Sequence, residues 1–277
     1  MKNMQNLQNL QNLHTHTIYC DGKNTPEEMV RFAIDKGFDS LGFSGHSYMH
    51  FSRYGNISVE NTELCNREVE ALKEKYKGQI EIFRGLEVDI FSEIDMSGYD
   101  YLIGATHYLK VGDVYAGFDR SAKDVQNIID TYFGGDGMAF AKQYYETLST
   151  LPEYGNFDII GHFDLITKNI DIIPFFDQYS KEYLHMAFDA AHSLKGKIPF
   201  FEVNTGAISR GYRMTPYPSI PLLKELKELG FGAMISSDCH DGNYLDCAFE
   251  DARELLMQCG FKERYILTES GFKAVEI

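Results

Sequence analysis

The sequence predicts a single α/β domain in which parallel strands, covered by helices, close into a barrel. Strand-like and helix-like stretches alternate seven times along the 277 residues, a pattern typical of βα units and a parallel sheet. No linker-like composition divides the chain. A barrel is the natural closure for so many successive repeats. We therefore treat residues 1–277 as one domain.

Seven short stretches have the mostly apolar composition of buried strands. They are predicted at Leu10–Thr15, Ser40–Ser44, Ile80–Val88, Tyr101–Ala105, Asp158–Ile160, Pro199–Val203 and Gly232–Ser236. Strands of a parallel sheet are buried on both faces, so continuous apolar runs are expected there.

Helical stretches separate these strands and carry start and stop signals. The first helix follows Thr25, a capping residue, and begins with Pro26 and two acids. It ends at Gly37, since glycine is typical just past a helix. The predicted helices are Pro26–Lys36, Glu60–Lys77, Ala122–Phe133, Met138–Thr150, Tyr179–Leu194, Leu222–Leu229 and Asp246–Cys259.

Three other stretches complete the chain. Met4–Leu13 repeats Gln-Asn-Leu with a period of three, which suits neither helix nor strand, so we predict an irregular lead-in. Tyr108–Asp119, rich in Tyr and Gly, is predicted to be an insertion after the fourth strand. Tyr265–Leu267 leads into a short tail.

The composition limits the class of protein and its partners. With 44% apolar residues, 20 Phe and 18 Tyr, the chain can build a large core. No apolar run approaches the roughly 18 residues that span a bilayer, and no signal-peptide pattern begins the chain, so we expect a cytoplasmic protein without a membrane segment. The net charge of −15 argues against a nucleic-acid surface and fits an enzyme of small substrates. No feature indicates an oligomeric state.

Side chains that can bind metals lie at or just past the end of every predicted strand. The carboxyl ends of barrel strands share one rim, so these residues are expected to meet there. His14 and His16 lie two apart in an extended strand and project to the same side. Six of the nine histidines fall on this rim. The candidate ligands are His14, His16, Asp21, His46, Glu87, His107, His162, Asp238 and His240.

This ligand set has the chemistry of a site for several ions. Imidazoles and carboxylates without thiolates suit zinc, iron or manganese and leave positions open for water. Nine ligands exceed the need of one tetrahedral ion, and the carboxylates Glu87 and Asp238 can each use two oxygens. We therefore predict two or three divalent metal ions.

These motifs, in their order and spacing from position 14 to position 240, resemble those of the PHP (polymerase and histidinol phosphatase) family. They are His14-Thr-His16, Asp21, Gly45-His46, Gly85-Leu-Glu87, His107, Gly161-His162-Phe-Asp164 and Ser237-Asp238-Cys-His240. The resemblance implies a distorted (β/α)7 barrel with a trinuclear site. The chain length and the Glu202-Val-Asn204-Thr stretch are similar to the stand-alone phosphatases of that family. This implies hydrolysis of the phosphomonoester L-histidinol phosphate to L-histidinol and phosphate in histidine biosynthesis.

The resemblance also implies how the ligands divide. One metal takes His14, His16, Glu87 and Asp238, a second takes Glu87, His107 and His162, and the third takes Asp21, His46 and His240. Hydroxide bridging the first two metals would attack phosphorus, because clustered divalent ions acidify bound water. The candidates for carrying the proton to the leaving alkoxide are Asp238 and His240.

Charged residues near the same rim are candidates for substrate contacts. Those expected to bind the phosphate are Arg210, Arg213, Lys168 and Arg53, with Arg210 as the first choice. Those expected to meet the amine and imidazole are Asp164, Glu202, Tyr108 and Tyr115. For Glu202 a second interpretation stays open, in which it orients a ligand histidine.

Three other functions stay open. A nucleotide or oligonucleotide phosphoesterase of the same family would use the same metals, although the −15 charge and the lack of an appended polymerase region disfavour it. A metal-dependent amidohydrolase also begins with His-x-His, but it usually has a modified lysine where this chain has Glu87. A metal-binding module without activity is the non-enzyme alternative.

Overall fold

The structure, a computed structural model, describes residues 9–52 and 57–277. Its strands are β1 (Gln11–Asn12), β2 (Ser40–Phe43), β3 (Glu81–Asp89), β4 (Tyr101–Ala105), β5 (Tyr108–Val111), β6 (Val114–Gly117), β7 (Ile159–Ile160), β8 (Phe200–Asn204), β9 (Gly232–Ser236), β10 (Glu263–Thr268) and β11 (Gly271–Glu276). Its α-helices are α1 (Pro26–Asp35), α2 (Val59–Lys75), α3 (Ala122–Phe133), α4 (Gly137–Leu148), α5 (Lys181–Leu194), α6 (Gly206–Ser209), α7 (Ile220–Leu229) and α8 (Phe249–Gln258). Short 3-10 helices cover Leu151–Glu153, Leu165–Thr167 and Gly242–Tyr244.

Seven parallel strands form one sheet in the order β1-β2-β3-β4-β7-β8-β9. Backbone bonds just beyond β1 and β9 join the two ends of this sheet. The amide of His16 donates to the carbonyl of Cys239 at 2.8 Å, and the amide of Cys239 donates to the carbonyl of His14 at 3.0 Å. The predicted (β/α)7 barrel is therefore confirmed. It is distorted because β1 and β7 pair over only two residues each.

Apolar side chains fill the barrel interior below the rim. Among the described residues this cluster comprises Leu13, Phe83, Tyr101, Ile103, Ile159, Phe200, Met234 and Leu267, all at most 9% exposed. A second, more extensive apolar core lies between the sheet and its helices. The filled interior leaves the carboxyl rim as the place where polar side chains can gather.

The ring of Tyr101 leaves no room for side chains at Gly42 and Gly85 in the neighbouring strands. Its ring lies across the backbone of β2 and β3, and its hydroxyl donates to the carbonyl of Leu13. A Cβ atom at Gly42 would lie 2.2 Å from the Tyr101 hydroxyl, and one at Gly85 would lie 2.1 Å from the ring. Both positions therefore need glycine, because no side chain fits beneath the ring.

Two antiparallel hairpins add to the predicted elements. The insertion predicted at Tyr108–Asp119 is largely the hairpin β5–β6, which turns at Gly112 with φ 61°. The predicted short tail is the hairpin β10–β11. It covers the amino end of the barrel, where the Gln11 side chain exchanges two 2.8 Å bonds with the backbone of Leu267.

The capping signal predicted at the start of the first helix is present in the structure. The Thr25 side chain accepts a bond from the Glu28 amide, and the Glu28 side chain accepts one from the Thr25 amide, so α1 begins with a capping box. Part of the predicted lead-in lies outside the described residues, which start at position 9. None of the helices in the described ranges is long and apolar enough to cross a membrane.

Candidate metal centre

The nine predicted ligands lie together at the carboxyl rim of the barrel. His14 and His16 follow β1, Glu87 lies in β3, and the other ligands follow β2, β4, β7 and β9 or lie in the first βα loop. The rings of His14 and His16 have their centroids 5.3 Å apart, and His16 stacks on His240 at 4.0 Å. All nine therefore lie on one rim, and their role as metal ligands stays a prediction.

Glu87 lies among imidazoles from four other strand ends. Its side chain is 1% exposed. Its Oε1 lies 2.8 Å from His162 Nε2, 3.2 Å from His107 Nε2 and 3.4 Å from His14 Nε2. Its Oε2 lies 2.6 Å from His46 Nδ1. A carboxylate shared among so many imidazoles is placed as a bridging ligand would be.

Asp238 is the second shared carboxylate. Its Oδ1 lies 3.0 Å from His16 Nε2 and 3.6 Å from His14 Nε2. Its Oδ2 accepts a bond from the Arg210 guanidinium at 2.9 Å. The backbone of Asp238 has φ 45°, a left-handed conformation that Asp tolerates better than most residues.

Asp21 anchors a third group at the edge of the cluster. Its carboxylate lies 3.4 Å from His16 Nδ1, 3.6 Å from His46 Nε2 and 3.3 Å from His240 Nε2. Its side chain is 33% exposed, more than the other carboxylates of the cluster. The loop that carries it is tied to the rim because the amide of Lys23 donates to the carbonyl of His240 at 2.8 Å.

The arrangement fits divalent metal ions. Among the described residues, three groups offer ligand atoms within 4.8 Å of one another: His16, Asp21, His46 and His240; His14, His16 and Glu87; and His46, Glu87 and His107. Among the described residues, the Nε2 atom of His14 is buried without a hydrogen-bond partner, and His16 Nε2 and Glu87 Oε2, although 3.0 Å from Asp238 and 2.6 Å from His46, make no hydrogen bond of good geometry. Such atoms carry a large desolvation cost, which a bound cation would offset.

Electrostatics in the cluster favour ionised carboxylates. Burial would raise the pKa of Glu87, but His46, His14 and His107 outweigh it and hold the pKa well below its ordinary value. Burial would lower the pKa of His14, but Glu202, Glu87 and Asp238 raise it to about 10. Without metals, therefore, protonated imidazoles supply the positive charge that bound ions would supply.

A cavity of about 450 Å³ opens beside these ligands. Its lining residues are Asp21, His46, His107, Asp119, Arg120, Ser121, Asp124, His162, Leu165, Lys168, Arg210, Tyr212, Asp238 and His240. Three of them are cations, so an anion that reached the ligands would meet positive charge as well. The cavity is the space available for a small substrate.

Comparison with known proteins agrees with this geometry. Residues 12–206 match the family model of the PHP domain. The chain belongs to the PHP domain family. A probable histidinol-phosphatase from Deinococcus radiodurans is 26% identical over 263 residues, which cover 89% of this chain and 92% of that protein. The histidinol-phosphatase of Bacillus subtilis is 24% identical over 261 residues, covering 86% of this chain and 96% of that protein.

Solved structures share the fold of this PHP domain. A histidinol phosphate phosphatase from Lactococcus lactis, in complex with zinc, L-histidinol and phosphate, has a TM-score of 0.71 at 19% identity, over 96% of this chain and 99% of that one. A structure described as a putative histidinol phosphatase from Listeria monocytogenes has a TM-score of 0.75 at 19% identity, over 87% of this chain and 99% of that one. The family predicted from the motifs is confirmed.

The PHP domain brings two of the predicted substrate-binding cations to the cavity. Arg210 borders it while donating to Asp238. Lys168 borders it with its ammonium 2.6 Å from Asp119 and 4.5 Å from the ring centre of Tyr212. Arg53 lies outside the described residues. The sequence reasoning missed Arg120, whose only signal was its place after the fourth-strand insertion on the same rim.

The other predicted contacts lie outside the cavity lining. Arg213 is 4% exposed, donates to Thr167 and lies over the Tyr217 ring. Asp164 is fully buried and accepts a bond from the Ser219 amide at 3.1 Å. Glu202 is also buried.

The two tyrosines pack beside the site. Tyr115 stacks on Phe51 at 3.9 Å between ring centres, and the Tyr108 hydroxyl donates to Ser52 at 2.8 Å. Neither tyrosine borders the 450 Å³ cavity.

Proposed function

We propose that this PHP domain is a metal-dependent phosphatase that hydrolyses L-histidinol phosphate to L-histidinol and phosphate. The observation that carries the proposal is the convergence of nine nitrogen and oxygen ligands beside a small cavity that also holds three cations. Relatives over nearly the whole chain are named histidinol-phosphatases. The fold also matches a phosphatase that holds zinc, L-histidinol and phosphate.

The ligand set supports two or three divalent ions, which would be zinc, iron or manganese. We also propose that the nine ligands divide among three metal sites, and that Glu87 contributes to two of these sites. When bound, such ions supply an acidified water as nucleophile and positive charge that stabilises the transition state of phosphoryl transfer. Removing them is therefore expected to abolish turnover.

The three cavity cations are proposed to hold the phosphate. Arg210 can donate to a phosphoryl oxygen while it keeps its bond to Asp238, because a guanidinium carries five N–H donors. Lys168 has three donors, so it can retain Asp119 and still donate to the substrate. Arg120 borders the same space. Together they would orient the ester for in-line attack.

Carboxylates in the lining of the same cavity suit the amine of the substrate. Asp119 and Asp124 both border the cavity. Burial would raise the pKa of Asp119, but Lys168 and His107 outweigh it and hold the pKa below its ordinary value. An anionic Asp119 is available to an ammonium group. A cavity with both signs of charge fits a substrate that carries a phosphate and a protonated amine.

Asp238 and His240 are proposed to move the proton. Burial would raise the pKa of Asp238, but Arg210 and His14 hold it well below its ordinary value, so the carboxylate is ionised before the reaction begins. Burial, followed by the charge of His16, lowers the pKa of His240. Both residues border the cavity. They would form a short route from the attacking water to the leaving alkoxide.

The test is phosphate release by purified, zinc- or manganese-loaded protein. L-histidinol phosphate would be compared with a dinucleotide and a nucleoside bisphosphate under the same conditions. We expect kcat/KM to be highest for L-histidinol phosphate. A preference for the dinucleotide would replace the proposal with a phosphodiesterase function, and no turnover of any ester would indicate a module without this activity.

A further inference from the structure

We propose that Glu202 is a positioning residue of the metal centre rather than a contact for the substrate. It would fix the ring of His14 with Nε2 directed at the metals and hold the backbone that carries His162. This inference rests on the proposal that the rim binds divalent ions. It does not depend on which ester is hydrolysed.

Glu202 joins elements from four places around the barrel. Its Oε1 accepts bonds from the backbone amide of His162 at 2.7 Å and from Asn204 Nδ2 at 2.8 Å. Its Oε2 accepts a bond from the Ser236 hydroxyl at 2.5 Å and lies 2.9 Å from His14 Nδ1. The carboxylate thus links the ends of β1, β7, β8 and β9 beneath the rim.

These bonds leave Glu202 little capacity for a ligand. A carboxylate offers about four lone-pair directions, and His162, Asn204, Ser236 and His14 occupy them. The residue is 1% exposed and does not border the cavity. A substrate amine would have to displace a buried donor to reach it, which would leave that donor unpaired.

The contact with His14 determines which ring nitrogen can bind a metal. An ionised carboxylate only accepts hydrogen bonds, so Nδ1 of His14 carries a proton. The lone pair of the neutral imidazole is then on Nε2, which lies 3.4 Å from Glu87 Oε1 and 3.6 Å from Asp238 Oδ1. This Nε2 is buried without a hydrogen-bond partner in the described ranges. A carboxylate bonded to the far nitrogen also makes a histidine a stronger ligand.

The backbone contact has a related effect on His162. Strand β7, which precedes it, pairs over only two residues. The Glu202 carboxylate takes the place of the ladder partner that the His162 amide lacks. His162 Nε2 is thereby held 2.8 Å from Glu87 Oε1.

The first test is the tautomer of His14 in the unaltered, zinc-loaded protein. Histidine labelled with ¹⁵N would be observed by long-range ¹H–¹⁵N spectroscopy, and an H14N variant would assign the signal. The expected spectrum shows a protonated Nδ1 and a metal-bound Nε2. A metal-bound Nδ1 with a protonated Nε2 would overturn the inference without any change at Glu202.

The second test is Glu202→Gln, which keeps the size of the side chain but replaces one acceptor oxygen with a donor. We expect the zinc affinity, measured by competition with a chromophoric chelator, to fall about 10- to 100-fold. Asp158→Asn is the matched control, since Asp158 caps the amino end of neighbouring strands by accepting from the Leu102 amide at 2.8 Å. The control is expected to bind zinc like the unaltered protein.

The outcomes separate this inference from the proposed function. A folded Glu202→Gln variant with unaltered zinc affinity would show that Glu202 has only a structural role. Absence of zinc binding by the unaltered protein would overturn the metal centre itself. If the variant does not fold, the His14 spectrum decides.

Discussion

At the residue level, the two shared carboxylates have different surroundings. Glu87 meets imidazoles on both of its oxygens. Asp238 faces imidazoles with Oδ1 and the Arg210 guanidinium with Oδ2. Glu87 thus contacts histidines through both oxygens, whereas Asp238 connects the histidine cluster to Arg210 and the cavity.

Replacing Glu87 with Gln tests the shared ligand. The change keeps the shape but removes the charge that several histidines surround, so metal content and activity should fall together. We expect a loss of activity beyond the roughly 10- to 100-fold typical of residues that only support a ligand. Elemental analysis and phosphate release would be measured on the same sample. Glu93→Gln, an exposed carboxylate after β3, is the control; full metal content in Glu87→Gln would contradict the assignment.

Lys168 and Arg213 were both predicted to bind phosphate, but they occupy different environments. Lys168→Met should raise KM for L-histidinol phosphate about 10- to 100-fold with unchanged metal content, because a hydrogen bond to a charged group contributes about 1.5–3 kcal/mol. Arg213→Met removes a buried cation that donates to Thr167. It should lower the melting temperature and leave KM nearly unchanged. The reverse pattern would show that Arg213 is the phosphate contact.

At the level of elements, very short strands position candidate ligands. Strand β1 has two residues, yet it leads to His14 and His16. Hydrogen bonds of the Asn12 side chain hold this segment where strand pairing ends. The amide of His14 donates to Asn12 Oδ1 at 3.0 Å, and Asn12 Nδ2 donates to the Ser237 hydroxyl at 2.7 Å. The first and last barrel strands are therefore joined by side chains as well as by backbone.

The packing of Tyr101 against glycine can be tested with paired variants. Gly42→Ala places a Cβ atom 2.2 Å from the Tyr101 hydroxyl and should cost about 1–3 kcal/mol, as overpacked cores do. The cost should be smaller in a Tyr101→Phe background, because the clashing oxygen is absent. Chemical denaturation of the four proteins in this cycle would measure the coupling. Equal costs in both backgrounds would show that Tyr101 does not set the requirement for glycine.

At the level of the whole molecule, positively charged side chains gather at the site although the protein as a whole is acidic. The chain has a net charge of −15, yet its cavity contains three cations and the ligand cluster contains six imidazoles. Overall charge therefore describes the outer surface and its partners better than it describes the site. The prediction against a nucleic-acid surface rests on that overall charge and stays a prediction.

The metal-free protein should lose stability as the pH rises. Burial opposes protonation of His14 and His107, but Glu202 and Glu87 at His14, and Glu87 and Asp89 at His107, raise their pKa values to about 10 and about 9. Groups with a raised folded-state pKa stabilise the fold fully below the unfolded value of about 6.5 and lose that effect through the folded value. Melting temperatures in chelator should therefore fall between about pH 6.5 and 10. A rise over that range would contradict the charge assignment.

Residue type and strand position were enough to predict that the nine candidate ligands lie at one rim, because strand ends in a barrel meet there. Residue type and strand position did not show that Arg213 and Asp164 are buried away from the cavity. Whether such a side chain faces a cavity or the core depends on packing. Glu202 stayed ambiguous because its partners, such as His14, are far away in sequence. The hairpin β5–β6 was missed although Gly112-Asp113 is a turn signal between alternating residues.

Titration of the metal-free protein with zinc or manganese tests the central claim most directly. Phosphate release from L-histidinol phosphate would be followed as each equivalent of metal is added. We predict no turnover without metal and an activity that rises until two or three equivalents are bound. Full turnover by the metal-free protein, or a plateau after a single equivalent, would contradict the account.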